Sequence, residues 1–141
     1  LQEYMHIMTL RYDGAFELKT EVAPKAERLL MPKMTLQPLA ENAIQHGFLH
    51  AHRRQGILQV KAWAEAGTLM LVLSDNGAGM PQELRERLNR GENLVDPLSH
   101  RHIGIANIQS RIAIICSGDS SISFAAGEGG GLDVTLRLTA P

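Results

Sequence analysis

The sequence predicts an α+β domain in which helices pack on one face of a mixed β-sheet. Three observations carry that prediction. Short segments with period-2 alternation or nearly continuous apolar character occur at 16–22, 57–65, 68–75, 120–126 and 132–138, the pattern of strands. Segments with helical spacing stand before and between them, at about 1–12, 35–47, 81–90 and from Gly104 to Ser117. The chain of 141 residues is long enough for one domain with its own core, needing neither disulfides nor a structural metal.

Leu1, Met5 and Met8, alongside Tyr4, follow helical spacing from the first residue, so the chain reads as a fragment that starts partway along a helix. Asp13-Gly14 signals a turn. Phe16, Leu18, Thr20 and Val22 then alternate with Glu17, Lys19 and Glu21 as in a half-buried strand. A segment from Pro24 to Pro32 suggests a helical turn or two. Thr35 is placed to cap the next helix, with Pro38 tolerated in its first turn. Ala66-Gly67 is short enough to join 57–65 and 68–75 in a hairpin. Thr68 to Ser74 is apolar almost throughout and is expected to be central and buried on both faces. Pro81 suits a helix start. Residues 91–103 lack periodicity, and a loop of that length in a compact domain is often a lid. Ile105, Ile108, Ile112 and Ile115 form the stripe of the last helix, which Ser117-Gly118 ends. Gly127 to Gly131 makes the turn between the two closing strands.

Apolar residues make up 44% and charged residues 21%, with a net charge of −1. These values fit a soluble globular domain, and no basic surface points to nucleic acid or a membrane. The single cysteine, Cys116, excludes an internal disulfide and reads as a small buried residue in a reducing compartment. Trp63 and the isoleucine stripe read as core. No apolar run approaches the ~20 residues of a membrane span.

Three features carry chemistry. On the helix 35–47, Leu36, Leu39, Ala40, Ala43 and Ile44 share one face, while Asn42, Gln45 and His46 share another. That polar stripe is either solvated surface or a ligand face, since an Asn carbonyl suits a hard cation held on phosphates. At Asp75-Asn76-Gly77-Ala78-Gly79-Met80 a carboxylate ends a buried strand, and glycines permit close approach of the backbone. The alternatives are a simple Asp-Asn-Gly turn and a carboxylate accepting from the exocyclic amine of a base. His102-Ile103-Gly104-Ile105-Ala106-Asn107 brings a loop to a helix N-terminus, where unpaired N–H groups favour phosphate; the plain alternative is a glycine-started helix.

Together, and in this order, these features resemble a known family. Leu36-Gln37-Pro38-Leu39-Ala40-Glu41-Asn42-Ala43-Ile44-Gln45-His46-Gly47 resembles the N box of LytS-like sensor histidine kinases. Asp75 to Gly79 resembles the G1 box, Ile103 to Asn107 the G2 box, and Gly131 to Leu138 the closing strand. Tyr4 through Tyr12 is similar to the link from the phosphoacceptor helices, which assigns 1–12 to that link and 13–141 to the ATP-binding domain. The resemblance implies the Bergerat ATP-binding fold, a two-layer sandwich shared with type II topoisomerases, heat-shock chaperones and mismatch-repair ATPases. It implies ATP and Mg²⁺ as ligands, with Asn42 holding Mg²⁺ and Asp75 accepting from the adenine amine. Gly77 and Gly79 would make room for the base, beside Met80. Gln45, His46, Arg101, His102, Ile103, Gly104 and Ile105 would complete the ATP site beneath a lid of about 81–103. Glu41 would act as general base toward an acceptor imidazole. The implied partners are the chain's own upstream dimerisation and phosphoacceptor region and a response regulator, with neither nucleic acid nor membrane contacted by this domain. The implied setting is the cytoplasmic side of a membrane-bound sensor.

Departures from the family pattern raise specific questions. Gln45 stands where a phosphate-reaching Lys or Arg is common, so a cation must come from elsewhere, with Arg101, Arg53 and Arg54 as candidates. His102 replaces the first glycine of G2, and Leu132 replaces a threonine. Pro38 occupies the place of the water-activating glutamate of the hydrolysing relatives, which argues against an ATPase. The pairs His50/His52 and His100/His102 lack the further ligands of a zinc site. None of the six histidines has the family's acceptor setting, so the chain alone is expected to bind ATP without autophosphorylating. The competing expectation is a degenerate nucleotide-binding regulatory module without catalysis.

Overall fold

A computed structural model describes residues 1–48, 55–92, 94 and 103–140. Helix α1 (Gln2–Arg11) leads into strand β1 (Phe16–Val22), and a 3₁₀ turn (Ala26–Arg28) precedes helix α2 (Leu36–Asn42). The chain then continues as a π-helical segment, Ala43–Phe48. Strands β2 (Gly56–Glu65) and β3 (Thr68–Asp75), helix α3 (Gln82–Asn89), helix α4 (Ile103–Ile115), and strands β4 (Ser121–Ala126) and β5 (Leu132–Leu138) complete the domain.

The five strands lie in the order β1-β2-β3-β5-β4. Among the described residues only β1 and β2 pair in parallel. Parallel neighbours need a long crossover, and the segment carrying α2 supplies it. The β2–β3 hairpin closes at Glu65↔Thr68, with Ala66 at φ 47° and Gly67 at φ 84°. Two consecutive positive φ values give the turn whose twist matches antiparallel strands.

Strand β3 is central, as its apolar sequence predicts, but it is not buried on both faces. Leu69, Leu71 and Leu73 are buried whereas Met70 and Val72 are half-buried, because helices cover one side of the sheet only. Trp63 is corrected by the same geometry: Val60 and Ala62 point to the core, and Trp63 lies half-buried on the other face, its Nε1 donating to Glu65 at 2.9 Å. On β1 burial fades from Phe16 to the exposed Val22, because β1 is an edge strand whose far end has no covering helix. The isoleucine stripe holds for Ile105, Ile108 and Ile112. Ile115 is 50% exposed, having run past the sheet, and Cys116 is half-buried against the core.

The core joins Leu58, Leu71 and Leu136 of the sheet to Leu39, Ile44, Ile105 and Ile108 of the helices. Each such side chain contributes roughly 1.5–3 kcal/mol by leaving water. Thr35 stands at the N-terminus of α2 without capping it; its hydroxyl donates backward to the Pro32 carbonyl at 2.7 Å. The expected α-helix to Gly47 instead widens after Asn42 into the π-helical turn, a feature frequent at functional sites.

Candidate functional site

The segment 42–48 joins two regions. At its C-terminal end it meets the loop after β3. The Ala78 N–H donates to the Gly47 carbonyl at 3.0 Å, and a Cβ on Gly77 would lie 2.5 Å from Gly47 backbone atoms. Gly79, at φ 75°, would place a Cβ 2.7 Å from the Gly130 carbonyl oxygen. A Cβ on Gly131 would overlap the Asp75 carbonyl oxygen. The glycines of this loop are therefore needed first for backbone-to-backbone packing. On the side where a Cβ would stand, the space beside Gly77 and Gly79 holds the protein's own chain.

Asp75 sits half-buried at the end of the central strand. Its Oδ1 accepts from the N–H of Gly77 at 2.8 Å and of Leu132 at 3.4 Å. The neighbouring Asn76 extends the ladder of β2: its Oδ1 accepts from the Ile57 N–H at 2.8 Å, and its Nδ2 donates to the Gln55 carbonyl at 3.4 Å. Met80 packs against the core, and its carbonyl accepts from Arg85 at 2.6 Å. The carboxylate is thus held by a rigid frame.

At the other end, a cavity of about 420 Å³ lies between α2 and α4. The structure brings Asn42, Gln45 and His46 together there with Gly104 and Ile105, and Glu41 joins them. A Cβ on Gly104 would come within 3.2 Å of the Pro38 side chain, so glycine lets the two helices approach. The first turn of α4, whose N–H groups lack intrahelical partners, adjoins this cavity. Glu41 Oε1 accepts from Gln37 at 3.3 Å. Burial, followed by the nearby Glu41 carboxylate, pushes the Tyr4 hydroxyl up to about 12. Ile103 begins α4; Arg101 and His102 lie outside the described residues, as do Arg53, Arg54, His50, His52, His100 and much of the expected lid. At the lid's start, α3 packs on β4, and Arg87 and Arg90 pair with Glu92 at 2.7 and 3.0 Å.

Sequence reasoning missed Arg111 and Met34, which also line the cavity. Arg111 was legible. It stands seven residues after Gly104, and seven helical steps of about 100° return to nearly the same face. Met34, at φ 60°, had no such signal, because its conformation is imposed by the fold.

The mixed sheet covered on one face is the fold of the histidine-kinase catalytic domains to which the chain is similar. The family model described as "Histidine kinase-, DNA gyrase B-, and HSP90-like ATPase" matches residues 30–141, and the chain belongs to that family. Among curated proteins the chain is similar to the sensor histidine kinase YesM of Bacillus subtilis, at 31% identity over 81% of this chain and 18% of that protein. It is also similar to the sensor protein LytS of Oceanobacillus iheyensis, at 30% identity over 86% of this chain and 21% of that protein. The chain thus spans only 18% and 21% of the lengths of these relatives. Among solved structures, the catalytic domain of histidine kinase ThkA superposes with a TM-score of 0.68 at 12% identity, covering 97% of this chain and 88% of that one. A mycobacterial sensor histidine kinase, MprB, gives 0.68 at 14% identity, over 99% and 91%. These likenesses establish the α+β fold expected from the sequence.

Proposed function

We propose that this chain is the catalytic domain of a LytS-like sensor histidine kinase, binding Mg-ATP and presenting the γ-phosphoryl group to a histidine outside the chain. The observation that carries this reading is the segment 42–48, which touches the Asp75 loop through Gly47 and lines the polar cavity through Asn42, Gln45 and His46. A nucleotide has the same two ends, a flat base and a charged tail.

In this reading Asp75, fixed by two amides, accepts from the exocyclic amine of adenine, and Met80 offers an apolar edge to the ring. Gln45, His46, Arg101, His102 and the backbone of Ile103, Gly104 and Ile105 donate to the phosphates, the last three through the helix start. The Asn42 side-chain carbonyl is a hard-oxygen donor that fits Mg²⁺. Among the described residues no three His, Cys, Asp or Glu side chains could hold a metal by themselves, so phosphate oxygens would be its main ligands. The cation, when bound, neutralises charge developing on the phosphates. Glu41 accepts the proton of the incoming imidazole. Pro38, four residues before Asn42, gives no base for activating water, so transfer to a protein fits better than hydrolysis.

The partners in this reading are the upstream phosphoacceptor region and a response regulator, and the domain works on the cytoplasmic side. Among the described residues no helix is long and apolar enough to cross a membrane. Gln45 and Leu132 favour one competing reading, a regulatory module that binds nucleotide without transfer. Titration of the chain with ATP, with and without Mg²⁺, tests the site. Mg-dependent binding that weakens about tenfold in Asn42→Ala is expected, the scale of one charge-assisted contact. Transfer to an added acceptor fragment separates the kinase from the regulatory module, and phosphohistidine on the isolated chain contradicts the assignment of the acceptor to another segment.

A further inference from the structure

The chain lacks a basic residue at Gln45, and the structure points to a cation elsewhere in the same cavity. Arg111 lies on the α4 face that carries Gly104, two turns further from the helix start. Its Nη1 donates to the carbonyls of Lys33 at 2.7 Å and Met34 at 3.4 Å. Those two partners are backbone carbonyls, which carry no charge to offset that of the guanidinium.

The order of contacts along one stretch of chain fixes which part of a nucleotide Arg111 faces. Gly47 meets the Asp75 loop; Asn42, Gln45 and His46 follow; Pro38 meets Gly104; and Met34, at the far end, meets Arg111. With the base at Asp75, the atoms furthest along this line belong to the last phosphate. We propose that Arg111 is the terminal-phosphate cation of this site, replacing the charge missing at Gln45 and distinguishing a triphosphate from a diphosphate. Its planar fork donates from more than one nitrogen. It can therefore keep its hold on the 33–34 carbonyls through Nη1 while offering the remaining N–H groups to phosphate oxygens. The two carbonyls hold Arg111 at the cavity edge before any ligand arrives.

This inference rests on the nucleotide reading above, and the test separates the two. The affinities of the 141-residue chain for ATP and ADP are measured by calorimetry in Mg²⁺ for the wild type, Arg111→Gln and Arg111→Lys, with thermal melts of each. Arg111→Gln is expected to weaken ATP about tenfold and ADP less than about twofold, the scale of one charge-assisted contact. Arg111→Lys, which retains the charge, is expected to recover part of the preference for ATP. Equal losses for ATP and ADP, tracking a lowered melting temperature in both variants, would overturn the proposal and leave Arg111 as a strut for the 33–34 segment. Unchanged ATP affinity in Arg111→Gln would overturn it too. A wild-type chain that binds neither nucleotide overturns the nucleotide reading itself, and this inference with it.

Discussion

The two ends of the site are built from different materials. Around Asp75 the contacts are backbone on backbone: Gly77 against Gly47, Gly79 against Gly130, and Gly131 against Asp75 itself. Around Asn42 and Arg111 the walls are polar side chains with room between them. The first end is a rigid frame for one carboxylate, in which any added atom meets main chain. The second has room for exchange of side chains, and both Gln45 and Arg111 line it. A site that must read one flat group and hold a flexible charged tail has reason to be built this way.

That contrast can be broken by single substitutions. Gly77→Ala forces a Cβ against Gly47 backbone that cannot turn aside, and we expect a loss of about 1–3 kcal/mol in denaturant unfolding, with nucleotide binding lost in parallel. Asn42→Ala, at the half-buried cavity wall, is expected to change stability by less than about 0.5 kcal/mol while still weakening Mg-ATP. If both variants lose stability alike, the two ends are not mechanically distinct.

A smaller effect probes the joint between α1 and the cavity. The Tyr4 hydroxyl is raised from 10.0 to about 12, mainly by burial and then by Glu41. A raised folded value means that the folded state holds the proton more tightly. The associated stability is full below pH 10 and is lost as pH rises toward 12. Tyr4→Phe should flatten the fall in stability over that window and remove the high-pH transition from a spectroscopic titration. A Tyr4 that titrates near 10 in the wild-type chain would contradict its burial beside Glu41.

Much of this molecule was legible in its sequence because periodicity and turn chemistry are local. The hairpin at Ala66-Gly67 and the central position of β3 followed from alternation and apolar length alone. So did the gathering of Asn42, Gln45 and His46 on one side of a helix. Other features were not legible, and for physical reasons. The π-helical turn after Asn42 occurs where Gly47 packs against Gly77, a partner thirty residues away. Trp63 does not belong to the core as expected, although the alternation of Val60 and Ala62 already points it to the other face. The packing of Gly77 and Gly79 on distant backbone was not legible either, because a sequence cannot say which backbone fills the place of a missing side chain. Arg111 was within reach of helical arithmetic from Gly104, had that face been followed two turns further.

The central claim is that the Asp75 end reads the amine of a purine. It is tested most directly by competing ATP against inosine triphosphate, which carries an oxygen where adenine carries its amine, for the wild type and Asp75→Asn. The account predicts that the wild type prefers ATP by tenfold or more, on the order of one specific polar contact. Asp75→Asn, which replaces one acceptor oxygen by a donor, should lose most of that preference while remaining folded. Equal affinity of the wild-type chain for the two nucleotides, or a preference unchanged in Asp75→Asn, would contradict it.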